Sequence, residues 1–206
     1  MDSELLRIFN KNHEHIGEAT RAEVHAKGLW HETFHCWLVS EIEGQFYLYF
    51  QLRSTCKKDY ASQFDITAAG HLLASERAED GIRELQEELG LTLTVNDIKK
   101  LGVFKTRIQQ PPMIDMEFAH VYYVFSDTDF AGFQLQEEEV AGIVRAELGT
   151  VCDFYSGKCS TLYVEGFEII ECGEKVSLVK NATYADFVEH NTSYMDHVLA
   201  KLSEVL

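Results

Sequence analysis

Residues 81–91 read GIRELQEELGL and place three glutamates, Glu84, Glu87 and Glu88, within five positions behind Arg83. On a helix these are positions i, i+3 and i+4, so the carboxylates converge on one side. Three like charges so close repel one another unless a cation or a basic residue lies among them. Arg83 is placed to pair with Glu87, and Ile82, Leu85 and Leu89 take the opposite face, toward a core. Oxygen ligands at this spacing suit Mg2+ or Mn2+, ions that keep waters and bridge to substrate phosphates. A merely acidic outer helix face would give the same string. What favours the metal is upstream: Gly70 opens GHLLASE, a backbone bend one loop before the helix, so the chain can fold back over it.

The elements that must position these residues follow from periodicity and turn chemistry. A helix is expected from Glu76 to Leu89, stopped by Gly90. Before it come a strand in ELLRIFN, a turn in NKNHEHIG and a short helix in RAEVHAKG closed by Gly28. A hairpin about Glu43-Gly44 in FHCWLVSEIEGQFYLYFQLR and a loop, STCKKDYASQ, complete the first half. After the helix come strands in VFKTRIQ and EFAHVYYVFS, joined by a loop holding Pro111 and Pro112, then a strand in VAGIVRAEL and a helix beginning in TVCDFYSG. The tail from Tyr184 to Leu206 has helical periodicity, with Phe187, Tyr194, Val198 and Leu202 on one stripe that reads as core packing. The fold class is α/β (α+β), a mixed β-sheet sandwiched between α-helices.

Bulk properties narrow the function classes. The formal net charge is −16, from 18 Lys plus Arg against 34 Asp plus Glu. A nucleic-acid polymer is therefore not expected as partner, because phosphate-backbone binding depends on Lys and Arg. With 46% hydrophobic residues the 206-residue chain can bury a substantial core. The amino terminus lacks a basic and then apolar leader, and no apolar run reaches the length of a membrane span, so no membrane partner is expected. Five scattered cysteines without a CxxC pair point to free thiols in a reducing, cytoplasmic setting.

GHLLASERAEDGIRELQEELGL resembles the Nudix box, the signature of Nudix hydrolases. The matched positions are Gly70, Glu76, Arg83, Glu84, Leu85, Glu87, Glu88, Gly90 and Leu91. The departure is a spacer of six residues, not seven, between Glu76 and Arg83. The resemblance implies the Nudix fold and a metal site made of Glu84, Glu87, Glu88 and the Gly70 carbonyl. It further implies hydrolysis of a diphosphate linkage in a small-molecule substrate by water, with Mg2+ or Mn2+. General-base candidates are Glu84, Glu117 and Glu139, the last from QEEEV at 136–140. A homodimer is common among Nudix proteins, although no residue here proves one.

A second resemblance lies outside the box. GLWHETFHCWLV, QLRSTCKKDYASQFDITAAGHL and DMEFAHVYYVF are similar to the Nudix-fold isopentenyl-diphosphate isomerases. That similarity implies a second metal site at His25, His31, His71, Asp115 and Glu117, suited to an ion softer than magnesium. It implies diphosphate contacts from Arg53 and Lys57, with Lys58 as a further candidate. The isomerases carry a cysteine just before the Gly-His pair, where this chain has Ala69. Moving a proton across an allylic system needs an acid/base on each face, so Glu117 alone does not suffice. An isomerase-like hydrolase is the expectation, ahead of an isomerase or a non-catalytic diphosphate-binding module. The substrate is either a nucleoside diphosphate linked to another moiety or an isoprenyl-type diphosphate. Trp30, Tyr60 and Phe64 are equally plausible as base-stacking or packing residues. Residues 1–150 are expected to form the Nudix domain, with 151–206 an extension packed on it.

Overall fold

The computed structural model describes residues 3–110, 113–170, 172–190 and 192–206. Its frame is one mixed sheet. Two long strands run parallel at the centre, β3 (Trp30–Ile42) and β8 (Met113–Phe125), in register from Trp30 opposite Met116 to Val39 opposite Phe125. From β3 the sheet continues through β4 (Gln45–Arg53), β9 (Val140–Glu147), β10 (Leu162–Ile169) and β11 (Lys175–Ala182). On the other side of β3 lie β1 (Leu5–Phe9) and β2 (His15–Thr20). Short strands β5 (Phe64–Ile66) and β6 (Ala68–His71) pair with β4 and β3, and β7 (Lys99–Gln110) pairs with β8.

Strand alternation divides the side chains into two cores. Phe34, Cys36 and Leu38 of β3 and Tyr122 and Val124 of β8 pack with Leu85 and Leu89 of α2 (Arg83–Leu89). Trp37, Val39, Phe50 and Val121 pack on the other face with α3 (Leu148–Tyr155) and α4 (Thr192–Val205). Helices therefore cover both faces, as expected. The remaining helix, α1 (Arg21–Lys27), packs near β8; Thr20 and Glu23 form a capping box at its start and Gly28 closes it in the left-handed conformation.

Several elements differ from the sequence reading: β2 starts at His15, inside the expected turn, and the short β5 and β6 were unread. The helix expected from Glu76 begins at Arg83, after a 3-10 turn over Ala78–Ile82. A side chain on Gly81 would come within 2.3 Å of Phe34, so this stretch lies tight on β3 and follows that surface instead. In the tail, helix α4 starts at Thr192; the Tyr184–Asp186 turn is closed by Thr183 and Asp186, and the Val188 amide bonds to the Phe64 carbonyl. That tie to β5 interrupts the periodicity at Phe187. The β10–β11 hairpin was unread, because β11 is exposed along most of its length and its apolar alternation, Val176 and Leu178, is brief. Pro111 and Pro112, expected in the loop between β7 and β8, lie outside the described residues.

Candidate active site

Strand β6 and helix α2 meet at Gly70. A Cβ there would stand 2.0 Å from Glu84 Oε1, so only glycine leaves room for that carboxylate against the strand. Arg83 clamps the same junction. Its Nε donates to Glu76 Oε1 at 2.7 Å and Nη2 to the His71 carbonyl at 3.1 Å, while Nη1 lies 2.6 Å from Glu84 Oε1 and 3.1 Å from Glu87 Oε2. Glu76 also accepts the Leu73 amide at 2.8 Å. The six-residue spacer is thus absorbed by the 3-10 turn, and Glu76 still reaches Arg83.

Glu84 and Glu88 are buried, whereas the Glu87 side chain is 52% exposed. Burial pushes the Glu84 carboxyl up to about 7, against the Arg83 charge that pulls it down. Burial and the neighbouring Glu84 push Glu88 well above the usual carboxylate range. Gln51 Nε2 approaches Glu88 Oε2 at 3.5 Å. One guanidinium does not neutralise three carboxylates, two of them buried. The donor set and its deficit of positive charge fit a hard divalent cation.

Two of the basic residues expected to meet a diphosphate, Arg53 and Lys57, are engaged. Arg53 Nη1 donates to Asp65 Oδ2 at 2.9 Å, and Nη2 to the Asp59 carbonyl at 3.0 Å. Lys57 forms an ion pair with Glu139, whose carbonyl accepts the Ser54 amide at 2.9 Å. Lys58 is exposed. Arg53 also borders a cleft of about 640 Å³ whose walls include Leu52, Phe64, Ile169 and Leu178.

A second cluster gathers from four elements: His25 of α1, His31 of β3, His71 of β6 and Asp115 of β8. One ligand atom from each lies within 4.8 Å of all the others. His25 Nε2 is 3.0 Å from His71 Nε2, and Asp115 Oδ1 is 3.3 Å from His31 Nε2 and 3.8 Å from His25 Nε2. His31 Nδ1 donates to the Leu29 carbonyl at 3.1 Å, which points Nε2 into the cluster. His31 Nε2 and Asp115 Oδ1 are buried yet make no hydrogen bond, so the cluster fits an ion. Burial lowers the His31 imidazole; burial and the His31 charge hold His71 well below its ordinary value. Burial, reinforced by Glu117, raises Asp115 to about 7. Glu117 stands beside this cluster, with Oε2 3.5 Å from His35 Nε2.

Several polar residues of the site escaped the sequence reading. His190 Nε2 donates to Asp65 Oδ1 at 2.6 Å, extending the line from Arg53. Opposed by burial, the His190 and Arg53 charges hold the Asp65 carboxyl below the usual range. Tyr194 Oη lies 2.8 Å from His35 Nδ1. Tyr194 stood on the tail's apolar stripe and so read as core; it is core, with its hydroxyl turned inward. Nothing local marks His190 or Asp65. Of the aromatic candidates, Trp30 packs on Phe118 with ring centroids 4.9 Å apart and Phe64 on Phe187 at 5.4 Å, while Tyr60 sits in the loop at φ 54°.

No family model matches the chain. It is 36% identical over 204 residues to an uncharacterised Nudix hydrolase of Clostridium acetobutylicum, covering 99% of both chains. It is 29% identical to an isopentenyl-diphosphate Delta-isomerase of Aliivibrio fischeri, over 68% of this chain and 78% of the relative. Among solved structures it is similar to the Deinococcus radiodurans protein DR0079, with TM-score 0.56 and 18% identity, over 75% of this chain and 90% of the other.

Proposed function

The chain belongs to the Nudix hydrolase superfamily, and from that membership we propose that it cleaves the diphosphate linkage of a small molecule with water and a divalent cation. The observation that carries this reading is the buried Glu84–Glu88 pair, short of positive charge and seated against Gly70. Glu84, Glu87, Glu88 and the Gly70 carbonyl would hold Mg2+ or Mn2+. Bound there, the ion supplies neutralising charge for the diphosphate and acidifies a water.

The chain's own residues do the rest. Lys57 turns from Glu139 to a phosphate oxygen, and Arg53 and Lys58 meet the charge that builds on the non-bridging oxygens. Losing Lys57 leaves Glu139 as a free carboxylate on a loop, able to take a proton from the attacking water. Glu84 and Glu117 are the other bases within the site. A water oxygen bonds to one phosphorus, the bridging P–O bond breaks, and a phosphate leaves on the departing half. The cleft beside Arg53 would hold the rest of the substrate, a nucleoside or an isoprenyl-type chain.

An isomerase reading fares worse in the fold. Ala69 sits in β6 opposite His35 and offers no proton donor. Cys36, on the paired strand, buries its thiol in the α2-side core, where burial pushes it far above its ordinary value. A binding module without catalysis leaves the complete glutamate set unused. Incubation with nucleoside-diphosphate compounds and isoprenyl diphosphates plus Mg2+, with identification of the products, tests all three. Cleavage lost in Glu88→Gln supports hydrolysis; an isomerised or an intact diphosphate overturns it.

We take residues 1–150 as the Nudix domain and 151–206 as an extension packed on it, supported by β10 pairing with β9 and by Tyr194 reaching His35. We further propose a cytoplasmic setting and, from superfamily membership alone, a homodimer. Among the described residues no helix is long and apolar enough to cross a membrane, and all five cysteines are free.

A further inference from the structure

We propose that His13, Glu32 and His120 form a binding site for a borderline divalent cation of the Zn2+ type, separate from the α2 glutamates and from the His25 cluster. His31 and Glu32 are consecutive in β3, and consecutive strand residues point to opposite faces. Asp115 and His120 of β8 are five apart in sequence and are likewise split between faces. The two strands that build the His31–Asp115 cluster on one face therefore present Glu32 and His120 on the other. His13 comes from the turn between β1 and β2.

The ligand atoms already converge. His13 Nε2 and His120 Nε2 lie 2.9 and 2.8 Å from the same oxygen, Glu32 Oε1, and one atom from each residue falls within 4.8 Å of the others. A tetrahedral ion holding nitrogen and oxygen ligands at roughly 2.0–2.2 Å keeps neighbouring donors about 3.4 Å apart, some half an ångström more than these contacts. It can enter once each Nε2 is bare, either because the proton of a neutral imidazole moves to Nδ1 or because an imidazolium gives up one proton, with little movement of the side chains. The other carboxylate oxygen is held from outside: Arg7 Nη2 donates to Glu32 Oε2 at 3.0 Å, the kind of contact that orients a ligating carboxylate.

The third ligand is delivered by a constrained backbone. His13 sits at φ 64°, and its amide bonds to the Asn10 carbonyl at 3.0 Å. The imidazole stacks on Phe118 with centroids 3.9 Å apart and planes at 14°, which fixes the direction of Nε2. The Glu32 and His120 side chains are about one-tenth exposed and His13 30%, so water can complete the coordination from the His13 side. Two imidazoles and one carboxylate select Zn2+ or Co2+ over Mg2+. The ion would tie the β1–β2 turn to the two central strands.

The test is a Co2+ titration of the metal-stripped full chain in excess Mg2+, followed by visible absorption. Wild type should take up one tight equivalent more than His13→Gln or Glu32→Gln, with a matching drop in the cobalt band. Asp115→Asn should remove a different equivalent and leave this one. Zn2+ should raise Tm less in His13→Gln than in wild type. His13 lies in a partly exposed turn, so if Glu32→Gln does not fold, His13→Gln alone decides. Equal Co2+ uptake by wild type and a folded His13→Gln overturns the proposal, as does loss of all uptake in Asp115→Asn.

Discussion

The α2 carboxylates and the His25 cluster both bury ionisable groups, but they are short of different things. At α2 the buried groups are two carboxylates with one guanidinium beside them, so ionisation there calls for added positive charge. Around His31 three imidazoles and Asp115 lie together, and burial drives all four toward their neutral forms. That cluster is short of partners at His31 Nε2 and Asp115 Oδ1, not of charge. The donor set of the first region suits a hard ion; that of the second suits a softer one. The Asp65 charge acts on Glu88 of the first region and on Glu117, which lies beside the second.

If this contrast is correct, Glu88→Gln and Glu84→Gln should each lower kcat/KM by more than about a hundredfold, because a direct ligand exceeds the 10–100-fold typical of outer-shell groups. The far-ultraviolet circular dichroism should be unchanged. Asp115→Asn should weaken Zn2+ binding more than tenfold yet lower Mg2+-driven turnover by less than about tenfold. Equal losses in both measurements would merge the two regions into one centre. His190→Gln releases Asp65 and loosens Arg53; KM for the diphosphate should rise by roughly tenfold with kcat little changed. A fall in kcat alone would move His190 out of the binding arm.

A pH comparison sharpens the contrast further. The Glu84 carboxyl titrates at about 7 in the folded chain against an ordinary 4.5. Between those values the folded state holds a proton that the unfolded state has lost, so this group's stabilising contribution falls as pH rises. Metal-free Glu84→Gln should therefore gain on wild type from pH 4.5 to about 7, reaching on the order of 3 kcal/mol at most. Denaturant unfolding of the pair across that range measures the difference, which saturating Mg2+ should reduce. A gap independent of pH would mean that Glu84 is not the titrating group. The smallest effect is expected at Lys58→Ala: because the residue is exposed, KM should rise by only a few-fold in an ordinary activity assay.

How much of this was legible depended on sequence distance. Glu84, Glu87 and Glu88 lie within one helical turn, so their convergence followed from the 3.6-residue period. The hairpin at Glu43-Gly44 and the cap at Gly28 were equally local. The start of α2 was misjudged because contact between Gly81 and Phe34, not propensity, decides it. The tail was misjudged because the tie from Val188 to Phe64 spans the molecule.

The chain taken alone determined the family signature, the convergence of the α2 carboxylates and the mixed architecture, since each is written in short sequence spacings or in turn chemistry. Only the tertiary structure decided that Glu76 still reaches Arg83 across a shortened spacer, that His190 and Tyr194 enter the site from the tail, and that His31 and Glu32 serve opposite faces. Those outcomes depend on strand register and on which surfaces pack. Both are fixed by contacts among residues far apart in sequence, which no local period encodes.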